Sequence, residues 1–145
     1  MIHRVLVVCI GNICRSPMAE GLIRQALPEL EVSSAGLAAL VGHGADPIAV
    51  EIMADAGIDI STHRACMLTD QLAREADLIL VMDDVQKMHV ARQYPFVMGK
   101  VFKLGEASSQ DIPDPYRQNH EVFRAVFLMI ESGVKDWVSA INSIE

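Results

Sequence analysis

Short apolar runs alternate along this chain with stretches whose apolar positions recur every three or four residues. Arg4 to Val8 is apolar and β-branched, and short enough to be a buried strand. Ser16-Pro17 predicts a helix start, with Ser16 as its cap and Pro17 at the first helical position, and Pro28 predicts its end near Leu27. Glu31 to Ser34 reads as a second strand, and Pro47 to Ala56 as a helix closed by Gly57. A short helix around Thr69 to Arg74 leads to Asp77–Val81, the clearest buried strand. Asp83 or Asp84 then caps a helix that ends before Pro95, and Lys100 to Lys103 reads as a weaker strand. A long loop runs from Gly105 to about Asn119. The last helix sets Phe123, Phe127, Ile130, Val134, Trp137, Val138 and Ile141 on one face.

Strands and amphipathic helices in alternation predict an α/β fold of three layers, a parallel sheet covered on both faces. Ligands bind such sheets at the carboxyl ends of strands, beside a topological switch point. Cys9 falls at the end of the first strand. No repeat, low-complexity tract or Pro/Gly/Ser-rich linker divides the chain, so residues 1–145 are expected to form one domain.

Composition narrows this picture. Hydrophobic residues make up 51% and charged residues 21%, which suits a packed core rather than a disordered chain. No apolar run approaches the ~20 residues that span a bilayer. Met1 to Ile10 is broken too soon by Gly11-Asn12 to be a signal peptide. The expectation is a soluble, cytoplasmic protein without membrane insertion. The net charge of -7 argues against nucleic-acid partners and anionic membranes, so an anionic substrate needs a local cluster of donors. The three cysteines have no zinc spacing and cannot pair completely, and the five histidines show no metal-ligand pattern. No metal and no cofactor is expected.

The chemistry concentrates in Cys9-Ile10-Gly11-Asn12-Ile13-Cys14-Arg15-Ser16. A turn from strand into helix points several backbone N–H groups at one spot, where the helix N-terminus adds partial positive charge. That is a site for a tetrahedral anion. Gly11 is expected to take a positive φ that lets the loop curl, and Arg15 offers a planar fork for two phosphate oxygens. The same surroundings favour the ionised, nucleophilic form of Cys9. Ser16 can donate a hydrogen bond to it, and Asn12, a residue that tolerates left-handed geometry, can brace the loop through its amide. Thiolate, anion cradle and bidentate cation together describe in-line attack on phosphorus. The G-x-x-x-x-G-K-[ST] pattern of nucleotide phosphate loops is not present here.

Such a reaction needs an acid for the leaving oxygen. Asp114 lies between Pro113 and Pro115, which stiffen its backbone and fix its direction; Asp111 competes but lacks that brace.

With Cys9–Pro17 followed by Asp114-Pro115-Tyr116, the sequence resembles the low-molecular-weight protein tyrosine phosphatases. The resemblance extends through Ser34-Ala35-Gly36, Gly57–Arg64 and Asp77–Asp83. It implies a flavodoxin-like, four-stranded parallel sheet and a metal-independent reaction through a phosphocysteine intermediate. Cys9 is then the nucleophile, Arg15 the phosphate-binding residue and Asp114 the general acid, later the base. Asn12, Ser16, Ser34 and His63 match positions that hold the loop in shape, and Tyr116 lines the entrance. Ile10, Gly11, Ile13 and Cys14 complete the binding loop. Cys14 also matches a residue that family members pair reversibly with the nucleophile.

Gly36–Gly42 with Gly44–Pro47 resembles a bacterial branch paired with membrane tyrosine kinases of exopolysaccharide export. That implies a phosphotyrosine protein as partner, such as a cognate kinase, and a monomeric enzyme. Leu40 stands where an aromatic pocket wall is common, and Pro113 where an acidic neighbour is common.

Cys66 shows no partner and reads as filler. Met82-Asp83-Asp84 reads as a helix cap rather than a cation site. An arsenate reductase shares this fold and loop, but needs relay cysteines that Val81 to Val90 lacks. A non-catalytic phosphotyrosine-binding module is a further alternative, although nucleophile, cation and acid are all present.

Overall fold

In the computed structural model, which describes residues 1–144, four parallel strands form one sheet in the order β2-β1-β3-β4. The strands are β1 (Arg4–Cys9), β2 (Glu31–Gly36), β3 (Leu78–Val81) and β4 (Val101–Lys103). Helices α1 (Arg15–Ala26), α2 (Pro47–Asp55), α3 (Asp70–Glu75), α4 (Asp84–Gln93) and α5 (His120–Ile144) connect and cover them.

β1 pairs on both sides, Val7 lying opposite Ser34 of β2 and Leu80 of β3. Its alternation feeds two cores. Val5, Val7 and Cys9 join Met18, Ile52, Phe123 and Ile130 under α1, α2 and α5. Leu6 and Val8 join Ala73, Val90 and Val97 on the α3–α4 side. The expected three-layer α/β architecture is therefore present. The chain leaves β1 for β2 on one side and returns to β3 on the other, so the end of β1 is the switch point.

The ends of elements have local causes. The carboxylate of Asp77 accepts the N–H groups of His3 and Arg4 at 2.8 and 2.9 Å, which ties the entrance of β1 to that of β3. Gly57, at φ +82°, closes the turn after α2 as expected. Asp83 caps α4 by accepting the N–H of Gln86 at 2.7 Å. The start of α1 departs from expectation: it begins at Arg15, with Cys14 as a cap residue that makes no side-chain bond. Ser16 does not cap it, because its hydroxyl is taken by Cys9 and Asn12. Pro17 still sits within the first turn, where a missing N–H costs nothing.

The expected apolar face of α5 is buried or packed on the core, and Val126 and Gly133 join it. Gly133 is there for space: a β-carbon would lie 2.8 Å from the carbonyl oxygen of Leu104. Trp137 donates from Nε1 to the Lys103 carbonyl at 3.0 Å, fastening the helix to the end of β4. Among the described residues, no helix is long and apolar enough to cross a membrane.

Candidate active site

The loop from β1 into α1 closes around Asn12. Its backbone is left-handed, at φ 57°, and its side chain is fully used. Nδ2 donates to Ser16 Oγ at 2.7 Å and to Ser34 Oγ at 3.0 Å, while Oδ1 accepts the N–H of Cys66 at 3.0 Å. Its carbonyl oxygen accepts from His63 Nε2 at 2.7 Å. Gly11 does not take the positive φ expected of it. The curl is made at Asn12 instead, where four hydrogen bonds offset the cost of the left-handed conformation. Cys66 is likewise more than filler, since its N–H holds Asn12 and its thiol meets the Ser34 carbonyl at 3.3 Å.

Cys9, 2% exposed, has its Sγ 3.0 Å from Ser16 Oγ. Behind it runs a chain of polar groups. Ser34 Oγ donates to Glu20 Oε1, and Glu20 pairs with Arg24 at 2.8 Å. His63 Nδ1 lies 4.0 Å from the same Glu20 oxygen. Glu20 is a residue that sequence reasoning missed. The signal was its spacing, one helical turn after Ser16, which puts both side chains on one face. Cys14 is buried, and burial pushes its thiol pKa far above the ordinary value. Asp46, Cys9 and Asp114 push the same way, and Arg15 opposes them.

Arg15, 3% exposed, reaches from this loop to the long one after β4. Nη1 donates to the Ile112 carbonyl at 2.8 Å, and Nη2 lies 3.7 Å from Asp114 Oδ2. Asp83, also unforeseen here, sits 4.0 Å from Nη1. The guanidinium Nε is buried with no partner. Asp114 is 48% exposed, and its other oxygen accepts the N–H of Tyr116 at 3.1 Å. Asp111, the competing acid, instead pairs with Lys103 Nζ at 3.0 Å. That bond, together with Asp84 at 3.4 Å, holds the Lys103 pKa above its usual value.

Between the two loops lies a cavity of about 330 Å³. Buried Cys9 and Arg15 form its floor, and Ile10, Ile13, Ala38 and Leu40 its apolar walls. Asp114, Tyr116 and Arg117 line the side formed by the long loop. Gly11 and Cys14 complete the lining, whereas Asn12, Ser16, Ser34 and His63 stand behind it and shape the loop. Ala38 and Arg117 are lining residues that the sequence did not single out.

Residues 4–144 match the family described as low molecular weight phosphotyrosine protein phosphatase. The chain belongs to this family. Among its relatives, a probable low molecular weight protein-tyrosine-phosphatase, EpsP of Ralstonia nicotianae, is 54% identical over 144 residues, 99% of each chain. The tyrosine phosphatase Wzb from Escherichia coli K30, solved in complex with sulphate, superposes with a TM-score of 0.93. It is 39% identical and covers 97% of this chain and 99% of its own. A YwlE arginine phosphatase from Geobacillus stearothermophilus, 32% identical, superposes at 0.91 and covers 97% of this chain and 94% of its own. The fold of this phosphatase family and its enzyme class both agree with the expectation from the Cys9 loop and Asp114-Pro115-Tyr116.

Proposed function

We propose that this phosphatase hydrolyses phosphotyrosine in a protein substrate, with Cys9 as nucleophile, Arg15 as phosphate-binding residue and Asp114 as proton donor. The reading rests on Arg15, which leaves the nucleophile's loop and spans to Ile112 and Asp114 with its Nε still unpartnered. A buried donor of that kind is costly unless a ligand oxygen meets it.

The phosphoryl oxygens bind the loop's N–H groups and the Arg15 guanidinium, with the phosphorus above Cys9 Sγ. Sulfur attacks in line, the P–O bond to the phenol breaks, and Asp114 gives the leaving oxygen its proton. Ser16 Oγ, 3.0 Å from Sγ, steadies the negative sulfur before attack and again when it leaves. In the second step Asp114, now a carboxylate, takes a proton from the water that attacks the phosphocysteine, releasing phosphate and restoring the thiolate. Asn12, Ser34 and His63 keep the loop in the shape that both steps share.

Walls made by Ile10, Ile13 and Leu40 suit a phenyl ring. A phosphoarginine would bring N–H donors against the same apolar surfaces, where they would go unpaired. By likeness to EpsP and Wzb, we extend the reading to a bacterial tyrosine kinase of exopolysaccharide export as substrate, met in the cytoplasm by a monomeric enzyme.

Hydrolysis of p-nitrophenyl phosphate by wild type, Cys9→Ser and Asp114→Asn tests the assignment. The first variant is expected to be inactive. The second should be slowed by roughly 10²–10⁴, the usual worth of a general acid. Full activity in Cys9→Ser, or preference for a phosphoarginine peptide over its phosphotyrosine counterpart, would overturn the reading.

A further inference from the structure

Arg117 takes no part in the steps above, yet it lines the mouth of the cavity beside Asp114 and Leu40. Its backbone is left-handed, at φ 63°, without the short amide or carboxylate side chain that eases such a conformation for Asn or Asp. The turn that imposes this is closed by the Gln118 N–H, which donates to the Pro115 carbonyl at 2.9 Å. Strain of this sort persists where the surroundings over-determine it, and it gathers at binding sites. Here it carries the guanidinium to 5.2 Å from the centre of the exposed Tyr116 ring.

Charge makes the position more telling. Among the described residues Arg117 makes no ion pair, as Arg64, Arg92, Lys100, Arg124 and Lys135 make none, but of these six cations it is the one that lines the cavity. The cation below it, Arg15, already lies near both Asp83 and Asp114. On a chain of net charge -7, an unpaired guanidinium fixed at the rim is the group left to meet an anion on the substrate outside the phosphate itself. Consecutive Cα atoms of a bound peptide are about 3.8 Å apart, so side chains flanking the phosphotyrosine reach that rim.

We propose that Arg117 is a specificity residue that selects phosphotyrosines with an anionic neighbour, a carboxylate or a second phosphate. The proposal rests on the phosphotyrosine phosphatase reading and names the class of site it acts on. Arg117 binds the neighbour as a planar fork, with Tyr116 holding one face of the guanidinium.

Matched phosphotyrosine peptides carrying Glu, phosphotyrosine, Ala or Lys at the adjacent position provide the test, read as ratios of kcat/KM within each protein variant. Wild type is expected to favour the Glu peptide over the Ala peptide by about 3- to 10-fold, the range of a rim ion pair with fork geometry. That preference should shrink as salt rises. Arg117→Gln should lose it, Arg117→Glu should turn it towards the Lys peptide, and Arg117→Lys should retain part of it. Arg117→Gly suits the left-handed backbone, so its expected loss of preference cannot be put down to misfolding. A gain limited to the doubly phosphorylated peptide would assign the position to phosphate, and a gain shared with the Glu peptide to negative charge in general. Equal ratios in wild type, or an unchanged preference in Arg117→Gln, would overturn the proposal. Wild-type hydrolysis of p-nitrophenyl phosphate, which has no neighbour to select, checks the phosphatase reading separately.

Discussion

Asn12 does at one position what neither a glycine nor a better hydrogen-bonding residue could do alone. It accepts the left-handed φ of 57° and spends its amide on Ser16, Ser34 and Cys66. The two contributions can be separated. Asn12→Gly keeps the backbone and loses the amide bonds, at a cost of about 2–3 kcal/mol if each buried bond is worth roughly 1. Asn12→Ala loses both, and the left-handed alanine adds about 1 kcal/mol. Urea unfolding should therefore rank wild type above Gly above Ala, with both variants impaired in kcat. The Cys9–Ser16 and Asn12–Ser16 contacts were legible in the sequence because they fall within one loop. It was misleading at Gly11, since glycine is the default for a positive φ and only the assembled contacts show that Asn12 takes it. His63 and Cys66 arrive from 51 and 54 residues away, and no local pattern announces such a meeting.

Elements were easier to read than their joints. The clear strand and the capped helices stand where period and punctuation put them, because each depends on its own few residues. Ser16 was misread as a cap for the opposite reason, its hydroxyl being claimed by groups outside the helix. Asp77 is a joint of this kind. It precedes β3, but its carboxylate accepts two N–H groups at the start of β1, and those bonds hold its pKa below the ordinary 3.8. A depressed folded-state pKa contributes stability that is present above the unfolded value and lost as pH falls through the folded one. Asp77→Asn should accordingly lower Tm at pH 7, and the gap to wild type should narrow once pH drops below about 3.8. A gap that stayed constant through this range would show that the charge is not what joins the strands.

For the whole molecule, the layers were foreseeable and the strand order was not. Alternating elements imply helices on both faces, but the order β2-β1-β3-β4 is decided by pairings between distant segments, and only family resemblance hinted at it. The layers also meet at a point that only the assembled fold reveals. Gly133 lets α5 press against the Leu104 carbonyl, where β4 gives way to the loop that carries Asp114. Gly133→Ala puts a methyl 2.8 Å from that oxygen, so the helix must move. We expect a loss of about 1–3 kcal/mol, typical of overpacking, seen as a lower Tm in calorimetry. Ile112 ties the same loop at its other end. Its side chain is buried, its N–H donates to Met82 at 2.8 Å, and its carbonyl receives Arg15. One peptide segment thus registers Asp114 against the Cys9 loop, whatever path the chain takes to reach it. For protein engineering this sets the boundaries of a graft: Glu106, which accepts the Lys103 N–H at 3.1 Å, and Ile112 hold the segment between them in register, whereas a graft that cuts between Ile112 and Asp114 parts Asp114 from Arg15.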